Sequence, residues 1–324
     1  MWLIVGGSGF IGTNFIEFLI ENGYSCINFD THSSPYHPAG VKTILGDIRD
    51  KTKLSKAMKR CDVVFHLATT LPSVKLSKRE IYDIDVTGTQ HVLSAAIERK
   101  VKKVIFTSSA SHVYGLVDKA SCPIREDHPV NPINEYGKNK VLAEQLCQQV
   151  SETEMLQTIV LRLSMVLGPY NFDPILQENI STLLKNKRVI IPSDGESKNQ
   201  SIHVNDVSTA LLACAETSDS QLPIHEIFNI SGNEVYSINE WIDLVKKMSN
   251  SSSKVTHLPL TLVRGVIQIA WWLRKTQIHP SYFSLLTHDQ YFDIQKAQQI
   301  LGWKPQCTVN DGLHEAIEFL QKEL

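Results

Sequence analysis

Apolar residues in the first half of the chain fall into two alternating patterns. Short unbroken runs, Trp2–Val5, Ser25–Phe29, Val41–Leu45, Val63–Leu67, Val104–Phe106 and Thr158–Leu163, have the length and composition of buried strands. Between them the apolar positions recur every three or four residues. Ile11, Phe15, Phe18 and Leu19 mark one face of a helix over 11–20, and the same spacing predicts helices over 51–59, 81–99 and 134–150. Strands that alternate with helices predict a parallel sheet covered on both faces, a Rossmann-type doubly wound α/β fold. After Gly168 the rhythm loosens, and Pro169, Pro174, Pro192, Pro223, Pro259, Pro280 and Pro305 punctuate mixed short elements. We therefore expect a nucleotide-binding domain over 1–168 and a smaller α/β substrate lobe over 169–324, with parts of the later chain returning to the first domain.

Composition narrows the class of partner. The 324 residues carry 32 Lys+Arg against 34 Asp+Glu, a net charge of −2, which gives no electrostatic footprint for nucleic acid. The six cysteines, Cys26, Cys61, Cys122, Cys147, Cys214 and Cys307, show no metal-binding spacing and read as reduced thiols. The start, MWLIVGGSGF, lacks the pattern of a signal peptide, and no apolar run reaches the ~20 residues that span a bilayer. A cytoplasmic protein with no transmembrane segment is the expectation. The most apolar late segment, LVRGVIQIAWWL at 262–273, suits an apolar substrate, a membrane surface or a packed helix.

Two local motifs carry chemistry. The first is Gly6-Gly7-Ser8-Gly9-Phe10-Ile11-Gly12, set between the first strand and the first helix. Glycines let backbone approach a pyrophosphate, and the helix N-terminus faces its charge. Asp30 follows at the end of the second strand, where a carboxylate accepts from ribose hydroxyls and repels a 2′-phosphate. Thr31 and His32 come next with no arginine, so NAD is favoured over NADP. Asp47 and Ile48, in GDIRD, could meet the adenine amino group and ring or form an ordinary Asp-rich turn. Leu67 and Ala68 close the fourth strand, where the cofactor would cross the sheet edge. His66 beside them reads as a core histidine.

The second motif is Tyr136 with Lys140, four apart on one helix face, after the strand that runs into Thr107-Ser108-Ser109. An ammonium favours a phenolate, so Tyr136 could take a hydroxyl proton as hydride leaves carbon for NAD. Lys140 would also bind the nicotinamide ribose, and a serine would hold the substrate oxygen.

Together these residues resemble the extended short-chain dehydrogenase/reductases, the NAD-dependent epimerase/dehydratase family. GGSGFIG, Asp30, GDIRD, HLA, DVTGT (85–89), FTSSASHVYG (106–115), YGKNK, LRLSMVLGP (161–169), IHVNDV (202–207), FNISG (228–232) and FDIQKAQQILGWKP (292–305) match in order. The resemblance implies Tyr136 and Lys140 as the catalytic pair. Ser109 is the third member if aligned from the strand and Ser111 if aligned from VYG, with Ser108 also open. It implies a homodimer through the helices near 81–99 and 134–150, and structural roles for His203 and Asp206. Substrate features depart from the pattern. Ala110-Ser111 replace the Asp-Glu pair of the 4,6-dehydratases. Lys198-Asn199-Gln200 and Leu286-Thr287-His288-Asp289 stand where diphosphate-binding arginines are expected, and Ser164 replaces an Asn. Lys198 or Arg188 could substitute for them. The segment 279–305 is similar to the 3β-hydroxysteroid and sterol dehydrogenase branch. The expected activity is nucleotide-sugar epimerisation through transient oxidation of a secondary alcohol. The alternative is a hydroxysteroid- or sterol-type dehydrogenase, or a ketone reductase, acting on an apolar substrate.

Overall fold

A computed structural model of the chain describes residues 1–71, 74, 76–171, 173–273, 275–276 and 282–323. Its strands, in chain order, are β1 (Trp2–Val5), β2 (Cys26–Asp30), β3 (Lys42–Leu45), β4 (Val63–His66), β5 (Lys103–Ser109), β6 (Gln157–Leu163), β7 (Met165–Leu167), β8 (Val189–Pro192), β9 (Lys198–His203), β10 (His225–Ile230), β11 (Val235–Ser237) and β12 (Val255–Leu258). Seven form one sheet in the order β10-β6-β5-β4-β1-β2-β3, with every neighbouring pair parallel. This is the doubly wound Rossmann-type arrangement. The chain order reverses between β1 and β4, which opens a crevice beyond the carboxyl ends of those strands.

Parallel strands need both faces covered, and the burial follows. On one face, Phe15, Ile16 and Leu19 of the helix Phe10–Glu21 pack with Val207, Ala210 and Leu211 of the helix Val204–Glu216. On the other, Leu54, Val92, Leu93, Ala143 and Cys147 from three helices meet Val64, Val104 and Phe106. A separate core of Leu176, Ile180, Ile242, Val245, Leu313 and Ile317 lies beside two small sheets, β11-β9-β7 and β12-β8. Strand β10 comes from the second half of the chain yet completes the large sheet beside β6.

Two elements differ from the sequence expectation. The helix expected over 81–99 is interrupted by a π-helical turn at Asp83–Thr87, between the helices Lys78–Tyr82 and Gly88–Arg99. The turn directs the buried Asp85 at the loop after β4, where it accepts from Thr70 N at 2.7 Å, Thr70 Oγ1 at 2.7 Å and Thr69 Oγ1 at 3.1 Å. Strand β5 runs through Ser109 rather than stopping at Phe106, because Thr107, Ser108 and Ser109 continue the ladder opposite Leu161, Arg162 and Leu163. Residues 279–281, which open the dehydrogenase-like segment, lie outside the described residues.

The helix Glu135–Glu154 starts with Asn134 as its cap, accepting from Gly137 N at 2.8 Å. Residues 136, 140 and 144 stack on one face of it. Glu144 is buried and paired in two-pronged fashion with Arg162 of β6, at 3.1 Å from Nε and 2.8 Å from Nη2. Ser108 donates to the same carboxylate at 2.6 Å. Arg162 also donates to the Tyr114 hydroxyl at 2.9 Å, which donates to Asn229 of β10 at 2.8 Å. A desolvated charge without its partner is costly. Arg162→Met should therefore lower unfolding free energy by about 3–5 kcal/mol, and Glu144→Met/Arg162→Met should recover much of that loss. Urea denaturation measures both, and a single-variant loss under about 1 kcal/mol would contradict the anchoring role.

Candidate active site

The crevice is built from the glycine turn upward. Gly6 has φ +87°, and a Cβ there would lie 2.4 Å from Ala68 N. A Cβ on Gly12 would lie 2.4 Å from Gly6 O, so the first helix can approach the strand end only with glycine there. Gly9 differs: a Cβ there would meet only Gly6 O, at 3.5 Å. The space outside Gly9 is open, and as N-cap it offers no side chain to the first N–H groups of the helix Phe10–Glu21. Phe10, Ile11 and Gly12 thus present a bare helix N-terminus, which suits a phosphate group.

Asp30 closes the same loop. Its carboxylate accepts from Ser8 N at 2.9 Å and Thr31 N at 2.7 Å, and His32 Nδ1 lies 3.3 Å away. Ser8 Oγ donates to His32 O at 2.7 Å, which ties the segment after β2 to the glycine turn. No Lys or Arg occurs from 31 to 41. These features fit a dinucleotide with a free ribose 2′-hydroxyl. Leu67 and Ala68 donate their N–H groups to Val5 O at 2.8 and 2.9 Å, and so hold the β4 end against β1. Ile48 is buried against Gly88. Asp47 is occupied by Arg49, at 2.9 Å from Nε and 2.6 Å from Nη2, and this bond holds its carboxyl below the usual range.

At the other end of the crevice the structure brings Ser109, Tyr136 and Lys140 into one cluster. Lys140 is buried, donates to Thr107 O at 2.8 Å, and lies 5.6 Å from the Tyr136 ring centre and 4.7 Å from that of Phe106. Burial pulls its ammonium down to about 8, while Asp85 and Glu144 act the other way. The half-buried phenol of Tyr136 departs from the sequence expectation. Desolvation pushes it above its ordinary value, and Asp85 and Asp173 push in the same direction. The ammonium donates to the Thr107 carbonyl, and burial together with the two carboxylates outweighs its influence at the phenol. Activating Tyr136 requires further positive charge.

The cluster includes a residue that motif reading passed over. His112 Nδ1 lies 3.1 Å from Ser109 Oγ, and its ring stands edge-on to Tyr136 with centres 5.0 Å apart. Burial pulls it down to about 4, with Lys140 adding, so it is neutral at pH 7. Its place inside FTSSASHVYG was visible, but its direction came only with the short helix Ala110–Tyr114. The three serines separate. Ser108 is held by Glu144 on the covered face, Ser109 faces His112, and Ser111 is the second residue of the short helix. His66 is buried, bonded to Thr89 at 2.8 Å, and pulled down to about 3 by burial. His203 caps the helix Val204–Glu216 through Asn205 N at 3.0 Å, and Asp206 accepts from Gln306 N and Cys307 N at 2.8 and 3.0 Å.

Comparison with known proteins agrees with this geometry. Residues 2–231 match the model of the NAD dependent epimerase/dehydratase family. A putative UDP-glucose 4-epimerase of Methanocaldococcus jannaschii is 28% identical, over 99% of this chain and 98% of that protein. The decarboxylating sterol-4-alpha-carboxylate 3-dehydrogenase of Mus musculus is 26% identical, over 97% of this chain and 89% of that protein. The structure of MoeE5 in complex with UDP-glucuronic acid and NAD superposes with a TM-score of 0.81 at 25% identity, covering 100% of this chain and 99% of that one. The chain belongs to the NAD dependent epimerase/dehydratase family, the extended short-chain dehydrogenase/reductases, and is an enzyme of that family.

The buried lysine gives a pH test. Its ammonium titrates near 8 in the folded protein and near 10.5 unfolded, so between those values the unfolded chain holds more protons. Its contribution is unfavourable below about 8 and is relieved as pH rises towards 10.5. Lys140→Met should therefore gain stability relative to wild type at neutral pH, and the gap should shrink by about 3 kcal/mol across that window. Urea denaturation of both proteins at several pH values measures the gap, and a constant gap would contradict the buried ammonium. Taking the difference between the two proteins cancels buried thiols remote from Lys140 such as Cys214, whose raised value acts in the opposite direction.

Proposed function

We propose that this enzyme is an NAD-dependent epimerase acting on a secondary alcohol of a nucleotide-activated sugar. The observation that carries the reading is the convergence of Ser109, Tyr136 and Lys140 at the β5 end, in the same crevice as the glycine turn and Asp30. Gly6, Gly9, Phe10, Ile11, Gly12, Asp30, Leu67 and Ala68 would hold NAD, with Ile48 and Asp47 at the adenine end. NAD, when bound, supplies the hydride acceptor.

The chain's own groups handle the proton and the oxygen. Tyr136 takes the substrate hydroxyl proton, its phenolate favoured by the Lys140 ammonium and by the positive charge that NAD⁺ would supply. Ser109 holds the same oxygen. Its hydroxyl is free to donate to substrate when His112 carries its hydrogen on Nδ1 and donates to Ser109 Oγ. Lys140 keeps its bond to the Thr107 carbonyl and would also hold the nicotinamide ribose. For epimerisation the keto sugar turns over, and Tyr136 returns the proton to the oxygen when the cofactor would give hydride back to the opposite face. The lobe built mainly from 169–324 would hold the nucleotide, with Lys198 or Arg188 in place of the missing arginines. A UDP-sugar complex in a structural relative and the name of the archaeal relative support this class of substrate.

A second reading, a dehydrogenase or reductase of apolar alcohols or ketones, is favoured by two observations. One is the likeness to the sterol dehydrogenase; the other is the lack of arginine at both expected diphosphate positions. A homodimer through the helices Gly88–Arg99 and Glu135–Glu154 is part of the proposal, with Tyr82 and Leu142 exposed beside them.

Tyr136→Phe should keep NAD affinity and lose about 10²–10⁴ in turnover. Equal turnover by both proteins would remove Tyr136 from the proton step. The substrate class is tested by thermal shift of the NAD-saturated protein with UDP, GDP and dTDP. A nucleotide at a hundredfold excess over its Kd should stabilise by about 2.7 kcal/mol. No shift with any of the three at millimolar concentration would favour the apolar-substrate reading.

A further inference from the structure

The helix Leu260–Trp272 follows β12, and it is not the packed helix that its composition suggests. Of its residues only Val263 is buried. Leu262, Val266, Ile269 and Leu273 recur at spacings of four, three and four, so they form one stripe along the helix. That stripe faces water: Val266 is 59% exposed, Ile269 61%, and the neighbouring Trp272 79%. Scattered apolar residues on a surface are ordinary, but a contiguous row of five on one element marks an interaction site.

The charge around this helix is one-sided. Residues 244–288 contain six Lys/Arg and no Asp or Glu. The rest of the chain holds 26 Lys+Arg against 34 Asp+Glu, a net of −8. Three further cations join across the small sheet. β8 and β12 pair from Val189 opposite Val255, and Val189 N donates to Lys254 O at 3.0 Å. Ser251 Oγ donates to Leu183 O, and Ser252 N donates to Asn186 Oδ1 at 2.7 Å. These bonds bring together the two chain segments that carry Lys185, Lys187, Arg188, Lys246, Lys247 and Lys254. Among the described residues none of these six is in an ion pair. Arg264 and Lys275 add exposed cations within and just after the helix.

We propose that this face docks on an anionic phospholipid surface. The helix would lie in the interface with its stripe and Trp272 among the acyl chains and the cations over the headgroups. Charge decides against a second copy of the chain, because a two-fold contact through this helix would bring two cationic segments together without counter-charge. Among the described residues no helix is long and apolar enough to cross a membrane, so the contact is one of lying on the surface. The inference does not depend on which substrate the enzyme takes.

The test is flotation of the full-length protein with vesicles of phosphatidylcholine alone and with roughly 30% phosphatidylglycerol. Binding should favour the anionic vesicles by about tenfold or more and fall steeply towards about 0.5 M salt. Ile269→Glu/Trp272→Glu should abolish it with an unchanged thermal midpoint, since both side chains already face water. Lys185→Glu/Lys187→Glu/Lys254→Glu should weaken it several-fold. Failure of the wild-type protein to bind either vesicle would overturn the proposal. So would sedimentation showing a wild-type oligomer that Ile269→Glu/Trp272→Glu dissociates, which would assign the stripe to self-association.

Discussion

The buried pair between Arg162 and Glu144 is the constraint on which the chemical end of this molecule depends. Tyr136, Lys140 and Glu144 occupy successive turns of one helix face, so fixing Glu144 sets the height of the other two above the sheet. Arg162 makes that connection with two parallel hydrogen bonds, and Ser108 adds a third contact from the neighbouring strand. Through Tyr114 and Asn229 the same guanidinium reaches β10, an element from the far half of the chain. The candidate proton carrier is therefore held by a network that closes only when both halves have folded. A polar network of this kind is costly when incomplete, which favours one helix position over nearby alternatives.

The cofactor end is built on a steric principle instead. Gly6 and Gly12 leave no room for a Cβ, and they bring the first helix against the end of β1. Gly9 has room that the protein leaves unfilled. Close packing behind the turn and open space before it produce a helix N-terminus aimed outward, with Asp30 holding the turn through Ser8 N. The two ends meet across the gap between β1 and β4. Asp85, set by the π-helical turn, fixes the Thr69–Thr70 loop there and adds negative charge near both Lys140 and Tyr136.

Much of this was legible in the sequence, for identifiable reasons. Short apolar runs and period-3.6 patterns name strands and helices because burial enforces them, and the GGSGFIG turn and YGKNK face are local in sequence. What could not be read depends on contacts between distant segments. The π-turn exists because Asp85 is held by residues 15 positions away. Ser108 and Ser109 face opposite sides of β5 because the strand continues through Ser109, and Ser111 lies beyond it in the short helix. His112 looked like part of a VYG motif until the short helix turned it towards Ser109 and Tyr136. The helix Leu260–Trp272 has an apolar composition, and only tertiary placement shows that its stripe is exposed among the described residues. The phenol's raised value is likewise a property of the assembled pocket, since YxxxK spacing alone suggests the opposite direction.

The account rests on one claim above the others: the crevice edged by Gly9 and Asp30 is a site for NAD. Calorimetric titration of the protein with NAD⁺ and then with NADP⁺ tests it most directly. A carboxylate at the ribose should make NAD⁺ bind at least ~10-fold more tightly, a difference of about 1.4 kcal/mol, and Asp30→Ala should narrow that margin. Equal or tighter binding of NADP⁺, or a margin untouched by Asp30→Ala, would contradict the placement of the cofactor and the reading built upon it.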